Sequence, residues 1–330
     1  MTGLRATRRG LLGLAAAIPA RAAPASTGVP EAATLIAPGP EEGLAAGFAE
    51  RAARGLARAL VQAAALRVSI VGGPDGITAA NRFAASTPAD GRVLLVMPGL
   101  AAQALLVGES RARFEPRHWP AIAASLGPAV LAGRGAPTEG QPLRLALPGP
   151  AAPEAGALLA LDLLGRPATP VFVASGVSPE AAVTAGAADA AVLTGHAVLA
   201  RAGALGLQPW FSFDGTAGGR EPAMPGVPAL GELLPDPARP ELLAAARAAG
   251  AGLRVRGALV LPALTSSDTV ALWRGAARRW AEEEGDGADL DSRRVVAEDA
   301  VAALATLCPS AEVALGYREW LRRRLAFQAG

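Results

Sequence analysis

Any chemistry in this chain has to come from a narrow set of side chains. Every basic residue is Arg or His: the 330 residues include no Lys and 2 His. Phosphate-loop nucleotide hydrolysis, Schiff-base chemistry and Ser–Lys catalysis all require a lysine, so those classes drop out. Ser175, Asp189 and His196 have the residue types of a hydrolytic triad and lie close in sequence. No Gly-x-Ser-x-Gly elbow surrounds the serine, so the chain is not expected to be an enzyme, and a hydrolase remains only the last alternative. His118 and His196 lie far apart, which argues against a His-based metal site, and no cofactor is expected. His196 follows a strand, where it either bonds within the fold or meets a ligand.

What remains is chemistry done by the backbone. Thr34 to Leu60 reads as a strand, a tight loop and an amphipathic helix in succession. Leu35 and Ile36 carry the strand, and Pro38-Gly39-Pro40 breaks it. Leu44, Phe48, Ala52, Leu56 and Leu60 then recur at the four-residue interval of one helical face, with Arg51, Arg54 and Arg58 opposite. A helix that starts after a Gly/Pro loop aims unpaired N–H groups and the positive end of its dipole forward, which suits an anion. Glu41 and Glu42 at the helix start have two readings: they cap the helix, or they face a cleft and favour a cationic ligand.

These residues need a frame, and the pattern supplies one. Arg67 to Val71 alternates like a strand and runs into Gly72-Gly73-Pro74-Asp75-Gly76. A helix from about Thr78 to Ser86 follows, then Ala89-Asp90-Gly91 and a strand from Val93 to Met97 closed by Pro98-Gly99. This βαβαβ order predicts a parallel sheet of the α/β class with ligand loops at the carboxyl ends of its strands. Further on, strands are expected at 128–131, 143–147, 170–173, 190–193 and 257–261, with helices at about 154–164 and from Pro179. Trp273, Trp280 and Trp320 fall at helical positions that suit packing. The arginines of 317–325 form a solvent-facing cluster on this reading.

Composition bounds the rest. With 51% hydrophobic residues the chain is globular, and its Gly and Pro are scattered rather than repeated. Arg5, Arg8, Arg9 and Arg21 are four of the 31 basic residues, leaving 27 against 29 acidic ones, so a nucleic-acid partner is not expected. Residues 1–22 have the form of an export signal: Arg8-Arg9, a short apolar run from Leu11 to Ile18, and a small-x-small site at Ala20-Arg21-Ala22. It is a twin-arginine signal, or an ordinary secretory signal with two adjacent arginines. The mature protein is then a periplasmic one, freed of its signal, and Cys308 is alone and cannot form an internal disulfide.

Several segments, in this order and spacing, resemble the tripartite tricarboxylate transporter substrate-binding family, the Bug-type periplasmic receptors. They are the strand-loop-helix opening, the loop with Gly76 and Thr78, and Ala89-Asp90-Gly91 before Val93-Leu94-Leu95. Phe114 to Ala123, Gly186-Ala187-Ala188-Asp189 and Met224 to Leu230 continue the likeness. The resemblance implies a periplasmic-binding-protein-like fold (type II), two α/β lobes joined by crossing hinge strands. Lobe 1 would hold 30–131 and 253–330, and lobe 2 would hold 132–252, with a Gly/Pro-rich crossing between Leu131 and Leu143. The implied function is an extracytoplasmic receptor, expected as a monomer, that delivers a small organic molecule to membrane transporter subunits. A receptor reporting to a membrane sensor is the alternative.

In this family the ligand is a carboxylate held largely by backbone N–H groups. The resemblance places the matching elements at Gly39, Glu41, Glu42 and Gly43, at Asp75, Gly76 and Thr78, and at Gly99 in lobe 1. In lobe 2 it places them at Ala151 and Ala152, at Ser175 and Gly176, and at Thr194 and His196. The chain departs from the family where Glu41-Glu42 replace glycines. It departs again in the loop Pro148 to Pro153, whose three prolines remove N–H donors, and in Ala174-Ser175-Gly176-Val177. The ligand's charge is thereby open between a carboxylate and an apolar, zwitterionic or cationic solute.

Overall fold

The computed structural model describes residues 31–60, 65–135, 143–213, 219–285 and 292–330. The export signal at 1–22 and most of the expected crossing after Leu131 lie outside them. Two separate sheets organise the chain. The first contains β1 (Ala32–Ala37), β2 (Ala65–Ile70), β3 (Val93–Met97), β4 (Ala121–Leu126), β10 (Val255–Val260) and β11 (Arg293–Val296). Its order is β11-β4-β10-β3-β1-β2. β1 lies parallel to β2 and β3, with Leu35 opposite Val68 and Leu94. β10 runs antiparallel to both β3 and β4, so this sheet is mixed rather than parallel throughout.

The second sheet contains β5 (Ala129–Gly133), β6 (Leu143–Leu147), β7 (Ala168–Phe172), β8 (Ala190–Thr194) and β9 (Gln208–Ser212), in the order β7-β6-β8-β5-β9. β6 is parallel to β7 and β8, while β5 is antiparallel to β8 and β9. The chain therefore changes sheet at Gly127-Pro128, ahead of Leu131. The stretch between β5 and β6 joins two strands of one sheet instead of crossing between lobes. The return runs through helix α8 (Pro240–Arg254) directly into β10.

Helices α1 (Leu44–Ala59), α2 (Ile77–Ser86) and α3 (Gly99–Val107) follow the first three strands, and α4 (Ala155–Leu163), α5 (Pro179–Thr184) and α6 (Val198–Ala204) follow β6, β7 and β8. α1 buries Phe48, Ala52 and Leu56 against the sheet and leaves Arg54 and Arg58 outside, as its period requires. Leu44, in line with them at the start of the helix, is instead 57% exposed. After the short α7 (Leu230–Leu233), α9 (Ser267–Glu284) packs across α1, and Gly55 makes that contact possible: a Cβ there would lie 2.1 Å from the Trp280 ring. Trp273 and Trp280 are fully buried, and Trp273 Nε1 donates to Gly91 O at 3.1 Å. Burial of such side chains contributes about 1.5–3 kcal/mol each.

α10 (Ala297–Leu307) and α11 (Ala311–Leu325) complete the chain. α11 does not carry a solvent-facing arginine cluster. Arg322 and Arg323 pair with Glu319, but Arg318 turns inward to the Leu105 and Leu106 carbonyls of α3, and Arg324 to Asp162 and the Ala168 carbonyl. Tyr317 and Leu321 share one apolar core with Leu106 of α3 and with Leu145, Leu158 and Leu161 of the second lobe. α11 thus touches both lobes. Among the described residues no single helix is long and apolar enough to cross a membrane.

Candidate functional site: the cleft between the lobes

Parallel strands followed by helices place their loops at one sheet edge, and each lobe does this. In the first lobe the loops after β1, β2 and β3 gather there, and in the second those after β6, β7 and β8. A cleft of about 630 Å³ opens between these edges, a volume in the range of small-molecule sites. The first lobe lines it with Gly39, Pro40 and Gly43 to Ala45, with Pro74, Asp75 and Ile77, and with one face of α3 from Gly99 to Val107. The second lobe contributes Pro148 and Ala151 to Glu154, and the return segment contributes Gly252, Leu253, Val255 and Arg256.

Two glycines allow this convergence. Gly76 has φ +72°, and a Cβ on it would lie 2.5 Å from the Pro98 ring, so the second loop seats on the third only with glycine there. At Gly99 a Cβ would lie 2.2 Å from Gly252 O, which lets the start of α3 touch the end of α8. Gln103 of α3 then reaches across the lobes and donates from Nε2 to Ala151 O at 2.9 Å.

The helix starts on the first-lobe side are open. Neither Gly43 before α1 nor Pro98 before α3 caps its helix with a side chain, and α1 has no acid in its first turn. Glu41 and Glu42 therefore do neither thing expected of them: both are exposed, neither caps α1, and neither lines the cleft. The helix begins after Gly43, which carries both acids outside its first turn. Asp75 lines the cleft, but its carboxylate accepts from Ile77 N at 3.2 Å and from Arg111 at 3.2 Å. Glu109, another lining acid, pairs with the same Arg111.

The second-lobe loop supplies few donors. Its three prolines have no N–H, and Ala152, Ala155, Gly156 and Ala157 donate to carbonyls of the turn itself. Glu154 is the N-cap residue of α4, yet its side chain makes no cap hydrogen bond. Burial pushes its carboxyl above the usual carboxylate range, with its own backbone N–H opposing the shift. Arg256 is the one base among the described residues that line the cleft, and its guanidinium packs over Gly127 and Gly195 at the crossing.

Of the residues singled out from the sequence, the cleft gathers Gly39, Gly43, Asp75, Gly99, Ala151 and Ala152. Gly76 is buried behind it and Thr78 is exposed on α2. Ser175 and Gly176 sit in an exposed turn after β7, Thr194 is half-buried and His196 exposed after β8, and none of the four lines the cleft. Asp189 is not a triad member. Arg144 grips both its oxygens, at 2.8 and 3.0 Å, and this pairing holds the carboxyl below its ordinary range. Sequence reasoning missed Gln103, Glu154 and Arg256. Among the described residues no group of three His, Cys, Asp or Glu is placed to hold a metal.

No protein-family model matches the sequence, and neither does any curated sequence. Solved structures do match. A TctC solute-binding protein from Polaromonas superposes with a TM-score of 0.61 at 16% identity, over 88% of this chain and 98% of that one. The fold is that of the two-lobed periplasmic binding proteins. Within that type, the R. palustris protein Rpa4515, solved with adipate, gives 0.54 at 14% identity over 90% of this chain and 98% of its own. The periplasmic binding protein BugD gives 0.51 at 14% over 91% and 99%. These TctC-like and Bug-type neighbours share with this chain the paired lobes that make an interlobe cleft available.

Proposed function

We propose that this chain is an extracytoplasmic solute-binding receptor of the tripartite tricarboxylate transporter kind. It captures a small organic carboxylate between its lobes and hands it to membrane transporter subunits. The observation that carries the reading is the cleft, walled by the strand-end loops of both lobes and floored by the return segment from α8 into β10. Such a geometry couples binding to closure, because a ligand touching both walls favours the closed arrangement by the contacts it gains there.

The uncapped starts of α1 and α3 supply N–H donors and the positive ends of two helix dipoles, and Arg256 adds a formal positive charge at the back. These are the groups assigned to the carboxylate. Ser175, Gly176, Thr194 and His196 lie at the same carboxyl edge of the second sheet as the loop Pro148–Pro153. They are assigned to the outer wall that closure brings over the solute. Adipate in Rpa4515 supports an aliphatic carboxylate as the ligand class. The signal-like residues 1–22 and the periplasmic neighbours support export.

Native mass spectrometry of the protein purified from its own host tests the reading. A retained small organic acid, lost on unfolding and replaced on adding it back, is expected. A protein that carries nothing, and whose deletion leaves uptake of organic acids unchanged, would remove the assignment.

A further inference from the structure

The second-lobe wall of the cleft holds more acceptors than donors. Glu154 faces the cleft from the start of α4, caps nothing, and among the described residues receives a hydrogen bond only from its own amide. Gln103 is 5% exposed. Its Nε2 is committed to Ala151 O, and its Oε1 has no hydrogen-bond partner. The Tyr317 hydroxyl is buried beside Gln103 and within reach of its side chain, and among the described residues is the one neighbouring hydroxyl that can serve this wall. One hydroxyl cannot serve both the Gln103 oxygen, which is fully buried, and the two oxygens of Glu154, which is partly buried and open to the cleft. The other lining acids differ, since Asp75 and Glu109 are both held by Arg111.

An ammonium group fits this deficit. It brings three N–H donors and a positive charge to a site that offers a desolvated carboxylate and a carbonyl oxygen. A second carboxylate on the ligand would instead meet Glu154 as a like charge. Between this wall and the helix starts the lining is apolar, and Leu44 and Leu100 stand 57% and 43% exposed. A methylene chain would cover them.

We propose that the cleft selects an ω-amino acid: a zwitterionic aliphatic solute whose ammonium donates to Glu154 and Gln103 and whose chain lies on Leu44 and Leu100. This narrows the receptor reading and rests on it, the carboxylate end being the one already assigned to the first lobe.

Titration calorimetry on the purified full chain tests it, with γ-aminobutyrate and ε-aminocaproate as zwitterions and adipate and caproate as anions without the amine. The wild type should prefer at least one zwitterion over both anions. Glu154→Gln, with a melting temperature near wild type, should weaken that zwitterion about 10- to 100-fold and narrow or reverse its advantage over adipate. Gln103→Leu, which removes the second acceptor, should weaken it as well. Unchanged zwitterion affinity in Glu154→Gln overturns the proposal. So does a wild type that prefers adipate, or one purified with a retained solute that lacks an amine, and either of these leaves the receptor reading standing. If no probe binds and nothing is retained, both fall together.

Discussion

Replacing Arg254 by Met should destabilise the protein far more than removal of a surface charge would. Arg254 ends α8 where the chain returns to the first sheet, and its guanidinium pairs with Glu221, each side chain only 6% exposed. Solvent therefore screens neither group, and the discount that applies to surface pairs does not apply here. Arg254→Met preserves the length of the aliphatic stem and leaves the Glu221 carboxylate buried without its partner. Breaking a buried pair this way costs about 3–5 kcal/mol. In a chain of 330 residues, with about 2 cal/mol/K of unfolding entropy per residue, that is a fall in melting temperature of roughly 4–7 °C. Circular dichroism melts and urea titrations would measure it, with Arg254→Met, Glu221→Leu and the double variant forming a cycle. The double variant should recover most of the loss, because two apolar side chains of similar volume need no desolvated charge. A single-variant cost below about 1 kcal/mol, the value of a solvated surface pair, would refute the reasoning.

Other consequences follow from the packing and the charges. Gly55→Ala gains about 1 kcal/mol of helix propensity, but its Cβ would sit 2.1 Å from the buried Trp280 ring. Overpacking of about 1–3 kcal/mol should win, and a raised urea midpoint would contradict this. The carboxyls of Glu232 and Glu319 are held down to about 2, chiefly by hydrogen bonds from Arg220 and Arg322, against an ordinary 4.5. Depressed values mean that their contribution is present above 4.5 and lost as pH falls toward 2. The stability of Glu319→Gln should therefore depend less on pH than wild type in that window and equally above it. Arg324→Ala removes two of the bonds that tie the end of α11 to the second lobe, those to Asp162 and the Ala168 carbonyl, and leaves Trp320 Nε1 on Asp162. Hydrogen exchange in 311–325 should then accelerate while that in α1 stays unchanged.

Much of the frame was legible from residue order because local periodicity and loop chemistry set it. The strand Val93–Met97 and the helix after Gly43 fall where alternation and the four-residue interval put them. Three things were not legible, each for a reason. Gly127-Pro128 marks a break, but nothing local says that it changes sheet, since β4 and β5 are both fully buried and their partners β10 and β8 lie far along the chain. The inward turn of Arg318 and Arg324 depends on α3 and α4, more than a hundred residues away in sequence. Glu154 read as an ordinary helix start. The signal was present in its setting, an acid directly behind a loop with three prolines, where few N–H groups remain to pair with it. Glu41 and Glu42 misled for the opposite reason: they stand beside a helix start, but Gly43 intervenes and turns them outward.

The electron density of the protein crystallised with the solute it retains, or with ε-aminocaproate, tests the account most directly. One aliphatic molecule should span the gap, its carboxylate at the starts of α1 and α3 and its nitrogen within hydrogen-bond distance of Glu154. Density on one lobe alone, or a solute seated elsewhere with the gap filled only by water, would contradict it.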